Sequence, residues 1–189
     1  MSVNNTTKRW SCLALFGLLL QQSPVFAKDK TLGGAPILGD RDIAENLGNS
    51  MDHQTLVDAL KSAGLLDSLK GPGPYTVFAP TNVAFDKLPT DSLDDLLKPE
   101  HQHTLVRILD YLIVEGRYDA AALTKMMRQN GDGKAQLTTV EGHKLSVSVS
   151  SGGHDLQVTD DKGTTAKITN VDVGVSNGII QVIDRVMEP

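Results

Sequence analysis

The pentapeptide Gly174-Val175-Ser176-Asn177-Gly178 matches the G-x-S-x-G pattern that surrounds the nucleophilic serine of many hydrolases. Such a serine needs a strand before it, a helix after it, and then an acidic residue and a histidine later in the chain. The residues from Ile179 to Val186 are β-branched and strand-like, and no histidine follows Ser176. The pattern therefore predicts a tight turn into a strand, and we expect the protein not to be an enzyme.

Histidines and acidic residues are the other groups that could carry chemistry. The five histidines are His53, His101, His103, His143 and His154. Only His101 and His103 are close in the chain, and residues two apart on a helix point to different faces. Two adjacent acidic pairs, Asp94-Asp95 and Asp160-Asp161, are typical of solvated charges, because neighbouring residues do not face one site.

The loop from Arg128 to Thr139 resembles a calcium-binding loop only at its centre, Asn130-Gly131-Asp132-Gly133. An EF-hand loop in this register needs an acidic first ligand and a glutamate at the twelfth position, where this chain has Arg128 and Thr139. We therefore expect no metal site.

Residues 1–27 are predicted to be a secretory signal peptide. Lys8 and Arg9 precede an apolar run from Trp10 to Leu20, and a small residue, Ala27, is suited to cleavage. The run is too short to span a bilayer, which disfavours the alternative of an uncleaved membrane anchor. Cleavage would remove Cys12 and Trp10, the chain's single cysteine and tryptophan. We therefore expect an exported protein without disulfides, in the periplasm, at the cell surface or outside the cell.

The charge of the chain limits the choice of partners. Removal of Lys8 and Arg9 with the signal peptide would change the formal net charge from −5 to −7. Nucleic acids and anionic lipid surfaces are bound through clustered Lys and Arg, and no such cluster is found in the sequence. We therefore expect no nucleic-acid partner, and a membrane contact only through the signal peptide.

The residue pattern divides the remaining chain into a helical front and a strand-rich back. Residues 28–41, with Gly33-Gly34 and Pro36, are expected to be a flexible leader, and residues 42–189 a single domain. Helices are predicted to begin near Asp42, Asp52, Thr90, Pro99 and Asp119. Of these residues, Asp52 and Thr90 are expected to cap their helices. From Gln136 the period changes to two, and turn residues separate the runs, which predicts a meander of β-hairpins.

Two longer segments indicate a family. The run Tyr75-Thr76-Val77-Phe78-Ala79 fits a buried strand, which Pro80 ends before Thr81 caps a short helix carrying Phe85. This segment resembles the first signature of the fasciclin (FAS1) domain. The stretch from Asn177 to Val186 resembles the second signature, so the chain is similar to this family from about residue 42 to 189. The matching motif residues are Thr76, Phe78, Pro80, Thr81, Phe85, Asn177, Gly178, Ile183 and Asp184.

The resemblance implies an α+β fold: a fasciclin-like wedge of mixed strands, packed with helices in the N-terminal half and continued as a β-hairpin meander in the C-terminal half. It also implies an exported, non-catalytic binding module without a cofactor, which mediates cell-surface, matrix or protein–protein interaction. Its partner would be a surface or matrix protein or a polysaccharide. The alternative is a periplasmic protein that binds a small ligand or a polysaccharide, which requires a concave apolar pocket.

The chain departs from the family pattern at two positions. Fasciclin domains commonly carry a Tyr-His pair where this chain has Tyr111-Leu112, and a histidine where it has Gln181. The signature segments are expected to belong to the core, which leaves the region from Pro99 to Tyr118 for a partner. Within it, Tyr and Arg are residue types that most often anchor interfaces. The predicted partner-binding residues are Tyr111, Arg117 and Tyr118; packing of both tyrosines against the domain is the alternative.

Overall fold

Short side-chain caps set the starts of three helices in the computed structural model, which describes residues 31–88, 95–150, 153 and 155–189. Asp42 accepts a hydrogen bond from the Glu45 N–H, Thr81 from the Ala84 N–H, and Asp119 from the Ala122 N–H. These helices are α1 (Ile43–Asn49), α3 (Asn82–Phe85) and α5 (Ala120–Gln129); the other two are α2 (Gln54–Ser62) and α4 (Gln102–Tyr111).

The predicted cap at Asp52 is wrong. Asp52 lies inside a 3-10 turn, Met51–His53, and α2 starts after His53 without a side-chain cap. The N-terminus of α2 is instead tied to α3, because the Asn82 side chain accepts from the Thr55 N–H and donates to the Met51 carbonyl. Further 3-10 turns lie at Ser68–Lys70 and Pro99–His101. The predicted cap at Thr90 lies outside the described residues, and no described helix is long and apolar enough to cross a membrane.

The described residues form nine strands. They are β1 (Thr31–Leu32), β2 (Ala35–Pro36), β3 (Tyr75–Pro80), β4 (Ile113–Glu115), β5 (Ala135–Thr138), β6 (Lys144–Val149), β7 (Leu156–Thr159), β8 (Thr165–Val175) and β9 (Gly178–Ile183). Of these, β5 alternates between buried and exposed residues, while β3 and β9 are buried almost throughout. Strands β3 to β9 form one sheet in the order β4-β3-β9-β8-β7-β6-β5, and the strands from β5 to β9 pair in sequence as antiparallel hairpins. The predicted meander is therefore confirmed.

The two signature segments lie side by side at the centre of the sheet. Strand β3 pairs in parallel with β9, from Tyr75 opposite Gly178 to Pro80 opposite Ile183. Every residue of β9 is buried, as is every residue of β3 after Tyr75. A parallel pair buried on both faces is the arrangement that a continuous apolar run favours. The core is built around this pair, with Phe78 fully buried.

The two edges of the sheet meet at one point. Outer strand β4 and outer strand β5 are joined by a single antiparallel bridge between Val114 and Thr139, and the Val140 N–H donates to the Ile113 carbonyl at 2.8 Å. Beyond this bridge the two strands separate. The sheet is therefore closed at one end of the β4–β5 seam and open at the other.

The described part of residues 28–41 differs from the expected flexible leader. Strands β1 and β2 form a small antiparallel hairpin, and Leu32 is buried in the core with 2% of its surface exposed. The Thr31 carbonyl accepts from the Asn170 side chain, and the Gly33 carbonyl from the Met51 N–H. Burial of Leu32 is the physical reason for the difference, because the glycines around it bend the chain back onto the domain. The predicted signal peptide lies outside the described residues.

Candidate functional site

The Asn177-Gly178 turn joins three parts of the fold. The Asn177 amide group donates to the carbonyls of Leu69 and Gly71, while its side-chain oxygen accepts from the Ile43 N–H. A Cβ on Gly178 would lie 2.0 Å from the Tyr75 carbonyl oxygen, so only glycine fits there. Ser176 lies in this turn, and strand β9 follows it where a hydrolase would have a helix. The G-x-S-x-G pattern is therefore structural.

The other motif residues also have structural partners. The Asp184 carboxylate accepts from the Lys167 N–H at 2.8 Å and fixes the end of β9. Ile183 and Phe85 are buried in the core, and Pro80 is the last residue of β3. Phe85 and Ile183 thus contribute to the core around the central strand pair, and Asp184 links the end of β9 to β8.

Among the described residues, no group of three or more His, Cys, Asp or Glu side chains is arranged to hold a metal ion. His53 is buried and contacts the Ser50 hydroxyl through Nδ1 at 2.7 Å. Burial lowers the pKa of His53 from 6.5 to about 4, against the opposing charge of Asp52. His101 contacts the Asp95 carbonyl, and His154 lies outside the described residues.

Tyr111 is not an exposed anchor, which corrects the prediction from the sequence. Its side chain is fully buried, and its hydroxyl donates to the Lys144 carbonyl and accepts from the Asp161 N–H. Burial, more than any neighbouring group, raises the pKa of Tyr111 to about 12. The helical spacing could not show this, because the residues that cover Tyr111 come from hairpins far away in the chain.

A charged cluster surrounds the ring of Tyr111. The Glu141 carboxylate lies 2.8 Å from Arg107 and 3.1 Å from Nε2 of His143, whose Nδ1 is 3.1 Å from Asp161. The cluster therefore ties α4 to the turn between β5 and β6 and to the turn between β7 and β8. Burial and then the charge of Glu141 raise the pKa of Asp110 at the edge of this cluster.

Arg117 and Tyr118 lie together in the short loop between β4 and α5. Arg117 is exposed and its guanidinium donates to the Gly178 carbonyl at 3.3 Å, over the turn between β8 and β9. Tyr118 is half-buried, with its ring against Gly116. The structure therefore separates the three predicted residues: two are accessible in one loop, and the third is in the core.

Buried polar groups hold this loop in place. The Thr76 hydroxyl donates to the Gly116 carbonyl at 2.7 Å and accepts from the Tyr118 N–H at 2.9 Å. The amide group of the fully buried Gln181 donates to the Tyr118 carbonyl and to Asp172. Gln181, at the position where the resemblance implies a histidine, is thus hydrogen-bonded to both Tyr118 and Asp172 and supports the loop.

Asp172 completes this support. It lies at an irregularity of β8 with a φ of 59°, a conformation that few residues other than glycine adopt. Its carboxylate accepts from the Ala120 N–H at 2.8 Å, at the start of α5. Nothing in the sequence singles out Asp172, because an aspartate in an alternating strand is typical of a solvated position.

A groove lies beside Tyr118 where β4 and β5 separate. It has a volume of about 360 Å³, and we call it the β4–β5 groove. Val140, which lines it, has 46% of its surface exposed, so the groove offers apolar as well as polar contacts. The lining residues are Glu115, Tyr118, Gln136, Thr138, Thr139 and Val140.

A second pocket, of about 390 Å³, lies between α4 and the turn that joins β7 to β8. Its apolar surface comes from Leu96 and Ile108, and its charged groups include Arg107 and Lys162. This pocket is in the size range of small-molecule sites.

The architecture and the tethered loop define a class: a mixed sheet with a central parallel pair and flanking helices, which presents surface grooves. The fasciclin domain model matches residues 51–189. The chain therefore belongs to the fasciclin domain family, as the two signature segments predicted.

Related proteins are found in bacteria and animals. The Synechocystis protein sll1483 is 38% identical over 147 residues, which cover 78% of this chain and 73% of that protein. Immunogenic protein MPB70 of Mycobacterium bovis is 33% identical, covering 78% of this chain and 68% of that protein. Transforming growth factor-beta-induced protein ig-h3 of Sus scrofa is 31% identical over 91% of this chain but only 24% of its own length.

A solved structure shares the fold. A FAS1 domain pair from the insect cell adhesion molecule fasciclin I superposes with a TM-score of 0.70 and 20% sequence identity. The match covers 82% of this chain and 52% of that one, so this chain spans about half the length of the domain pair. The predicted α+β wedge is therefore confirmed.

Proposed function

We propose that this protein is an exported, non-catalytic binding module that attaches to a surface or matrix protein through Arg117, Tyr118 and the adjacent β4–β5 groove. The observation that carries the proposal is the loop itself. It presents an exposed arginine and an accessible tyrosine, the residue types that most often dominate binding energy, next to a groove with an exposed valine.

The rigidity of the loop supports the same proposal. Thr76 and Gln181 bind the loop backbone at Tyr118, and Asp172 binds the first N–H of the helix that follows, so little conformational freedom remains to be lost on binding. A loop that is fixed in advance by buried hydrogen bonds favours recognition over a purely structural connection. Family membership and the cell adhesion molecule that shares this fold support an adhesion-type role.

Single alanine variants test this site. Arg117→Ala and Tyr118→Ala are each expected to weaken retention on immobilised cell-surface or matrix fractions by about tenfold, the effect of losing one interface anchor. Arg128→Ala is the matched control, because Arg128 is an exposed arginine at the far end of α5. Melting temperatures measured in parallel separate lost binding from lost folding. Unchanged retention by both folded variants would contradict the proposed site.

The pocket between α4 and the β7–β8 turn favours a second candidate, a binder of small ligands. Its size and its combination of Leu96 and Ile108 with charged groups are the supporting observations. A thermal-shift screen with metabolites and surface polysaccharides tests it. A ligand at a hundred times its dissociation constant should add about 2.7 kcal/mol to the unfolding free energy. The stabilisation should disappear in Ile108→Ala. If no compound stabilises the protein, the small-ligand candidate is rejected and the adhesion proposal is the one that remains.

A further inference from the structure

We propose that the open edge of β5 in the β4–β5 groove binds an extended peptide segment of the partner protein, which pairs with β5 as an added strand. This inference rests on the proposed function, because it gives the partner of the same groove a defined conformation. Strand addition to a free edge supplies affinity through backbone hydrogen bonds, and side-chain contacts supply selectivity.

The direction of the backbone groups follows from two hydrogen bonds. The Thr139 N–H donates to the His143 carbonyl on the β6 side, at 2.9 Å, while the Val140 N–H donates to Ile113 on the β4 side. Because backbone groups alternate along a strand, those of Thr138 and Gln136 also point away from β6, toward β4.

Strand β4 is too short to cover them. It ends at Glu115, after which Gly116 turns the chain with a φ of 112° and donates its N–H to the Pro74 carbonyl. The only β4–β5 pairing among the described strands is the bridge between Val114 and Thr139. The Thr138 N–H and both backbone groups of Gln136 are therefore left at the edge, and the groove runs along them.

The shape of the groove selects an extended peptide. One wall is the edge of β5, and the other is formed by Glu115 and Tyr118. A strand that paired with Gln136 and Thr138 would lie among these lining residues, with Tyr118 and Val140 available for its apolar side chains. A second copy of this chain is a poor occupant. Its β5 is flanked by its own Glu115 and Tyr118, which would have to enter the groove together with the strand.

A hexapeptide, acetyl-Lys-Val-Thr-Val-Thr-Lys-amide, is the probe, since it alternates like a strand and its lysines keep it in solution. Added to the complete exported protein, it is expected to slow amide hydrogen exchange of Gln136 and Thr138 by at least about tenfold. The Leu137 N–H, which already faces β6, serves as the internal control and should not change.

Backbone methylation of the probe separates strand pairing from side-chain contact. A peptide methylated on the two valine nitrogens has one edge blocked and the other free, so it should still bind. Methylation of every inner nitrogen blocks both edges and should abolish binding. Equal binding of the fully methylated peptide, or no binding of the parent at millimolar concentration, would overturn the proposal. Self-association of the protein through Gln136 and Thr138, seen by sedimentation, would assign the edge to a second copy and overturn it as well.

Two variants test the edge from the protein side. Thr138→Pro removes the outward N–H but leaves the bonds to β6, and should lose the probe; Thr138→Ala keeps the N–H and should bind normally. If Thr138→Pro does not fold, the methylated peptides decide the question with the unaltered protein. Suppose that Arg117→Ala or Tyr118→Ala no longer retains the natural partner, while the unaltered protein does not bind the probe. That outcome would support the proposed function and reject the strand addition.

Discussion

Tyr111 illustrates how one hydroxyl can hold together distant parts of a sheet. It bridges the Lys144 carbonyl and the Asp161 N–H, which belong to neighbouring hairpins. Tyr111→Phe should therefore lower the free energy of unfolding by about 1–2 kcal/mol, because it removes two part-buried hydrogen bonds. Chemical denaturation measures this change.

The same variant checks the corrected role of Tyr111. Tyr118→Phe is the comparison. It should change the free energy of unfolding by less than about 0.5 kcal/mol, because the half-buried Tyr118 hydroxyl forms no hydrogen bond within the described residues. Folded Tyr111→Phe protein should retain its partner as well as the unaltered protein does. A loss of binding without a loss of stability would return Tyr111 to the interface.

Phe78 tests the packing around the central strands. Its side chain is fully buried in β3, so Phe78→Ala should lower the free energy of unfolding by about 3–5 kcal/mol through lost burial and the remaining cavity. Val83→Ala is the control at an apolar position with 63% exposure, where little burial is lost. A shift below about 1 kcal/mol for Phe78→Ala would be incompatible with this core.

His53 makes the fold sensitive to acid. Its folded-state pKa, about 4, lies below the unfolded value of 6.5, so the unfolded chain takes up a proton first as the pH falls. The contribution to stability is complete above pH 6.5 and declines toward pH 4, where about 3 kcal/mol is lost. His53→Asn cannot titrate, so the difference between its pH–stability curve and that of the unaltered protein measures the effect. Parallel curves would show that the pKa of His53 is not lowered by folding.

Among the helices and strands, the features that depend on neighbouring residues were predicted better than those that depend on residues far away in the chain. The helix starts at Asp42 and Asp119, the cap at Thr81, the signature strand and the hairpin meander all depend on residues close in the chain, and the structure confirms them. The packing of the β1–β2 hairpin and the burial of Tyr111 depend on residues many positions away. No periodicity in a single sequence contains that information.

The candidate site shows the same division. Arg117 and Tyr118 were identifiable from residue type, and the structure places both at accessible positions. The groove beside them was not predictable, because it arises where two strands separate that lie about twenty residues apart in the sequence. Asp172 and Gln181, which fix the loop, look like ordinary strand residues until the irregularity in β8 brings them together.

Gly178 tests the parallel contact between β3 and β9. A methyl group there would lie 2.0 Å from the Tyr75 carbonyl oxygen, a backbone atom that cannot move without shifting β3. Gly178→Ala should therefore destabilise the fold by more than about 3 kcal/mol or prevent folding. Gly131→Ala, where no atom lies within 4 Å of the new methyl group, should have little effect. Similar midpoints for the two variants would contradict the register of the central pair.

For the whole molecule, we predict a mature protein that begins at Lys28, because the small residue Ala27 precedes it in a signal-like segment. It would lack Trp10, the chain's single tryptophan. Intact mass and fluorescence of protein recovered from the exported fraction measure this. Indole emission from that protein would show that the segment is retained, while a mass matching residues 28–189 would support export.

The position of β9 in the sheet bears on when the molecule can fold during its synthesis. Strand β9 lies between β3 and β8, yet its residues, 178–183, are translated after those of every other described strand. A growing chain on the ribosome therefore contains the helical half, with β3, and the hairpins up to β8 before it contains β9, the strand that joins them. The sheet can be completed only after β9 has emerged from the exit tunnel, so the nascent protein lacks the centre of its core until then.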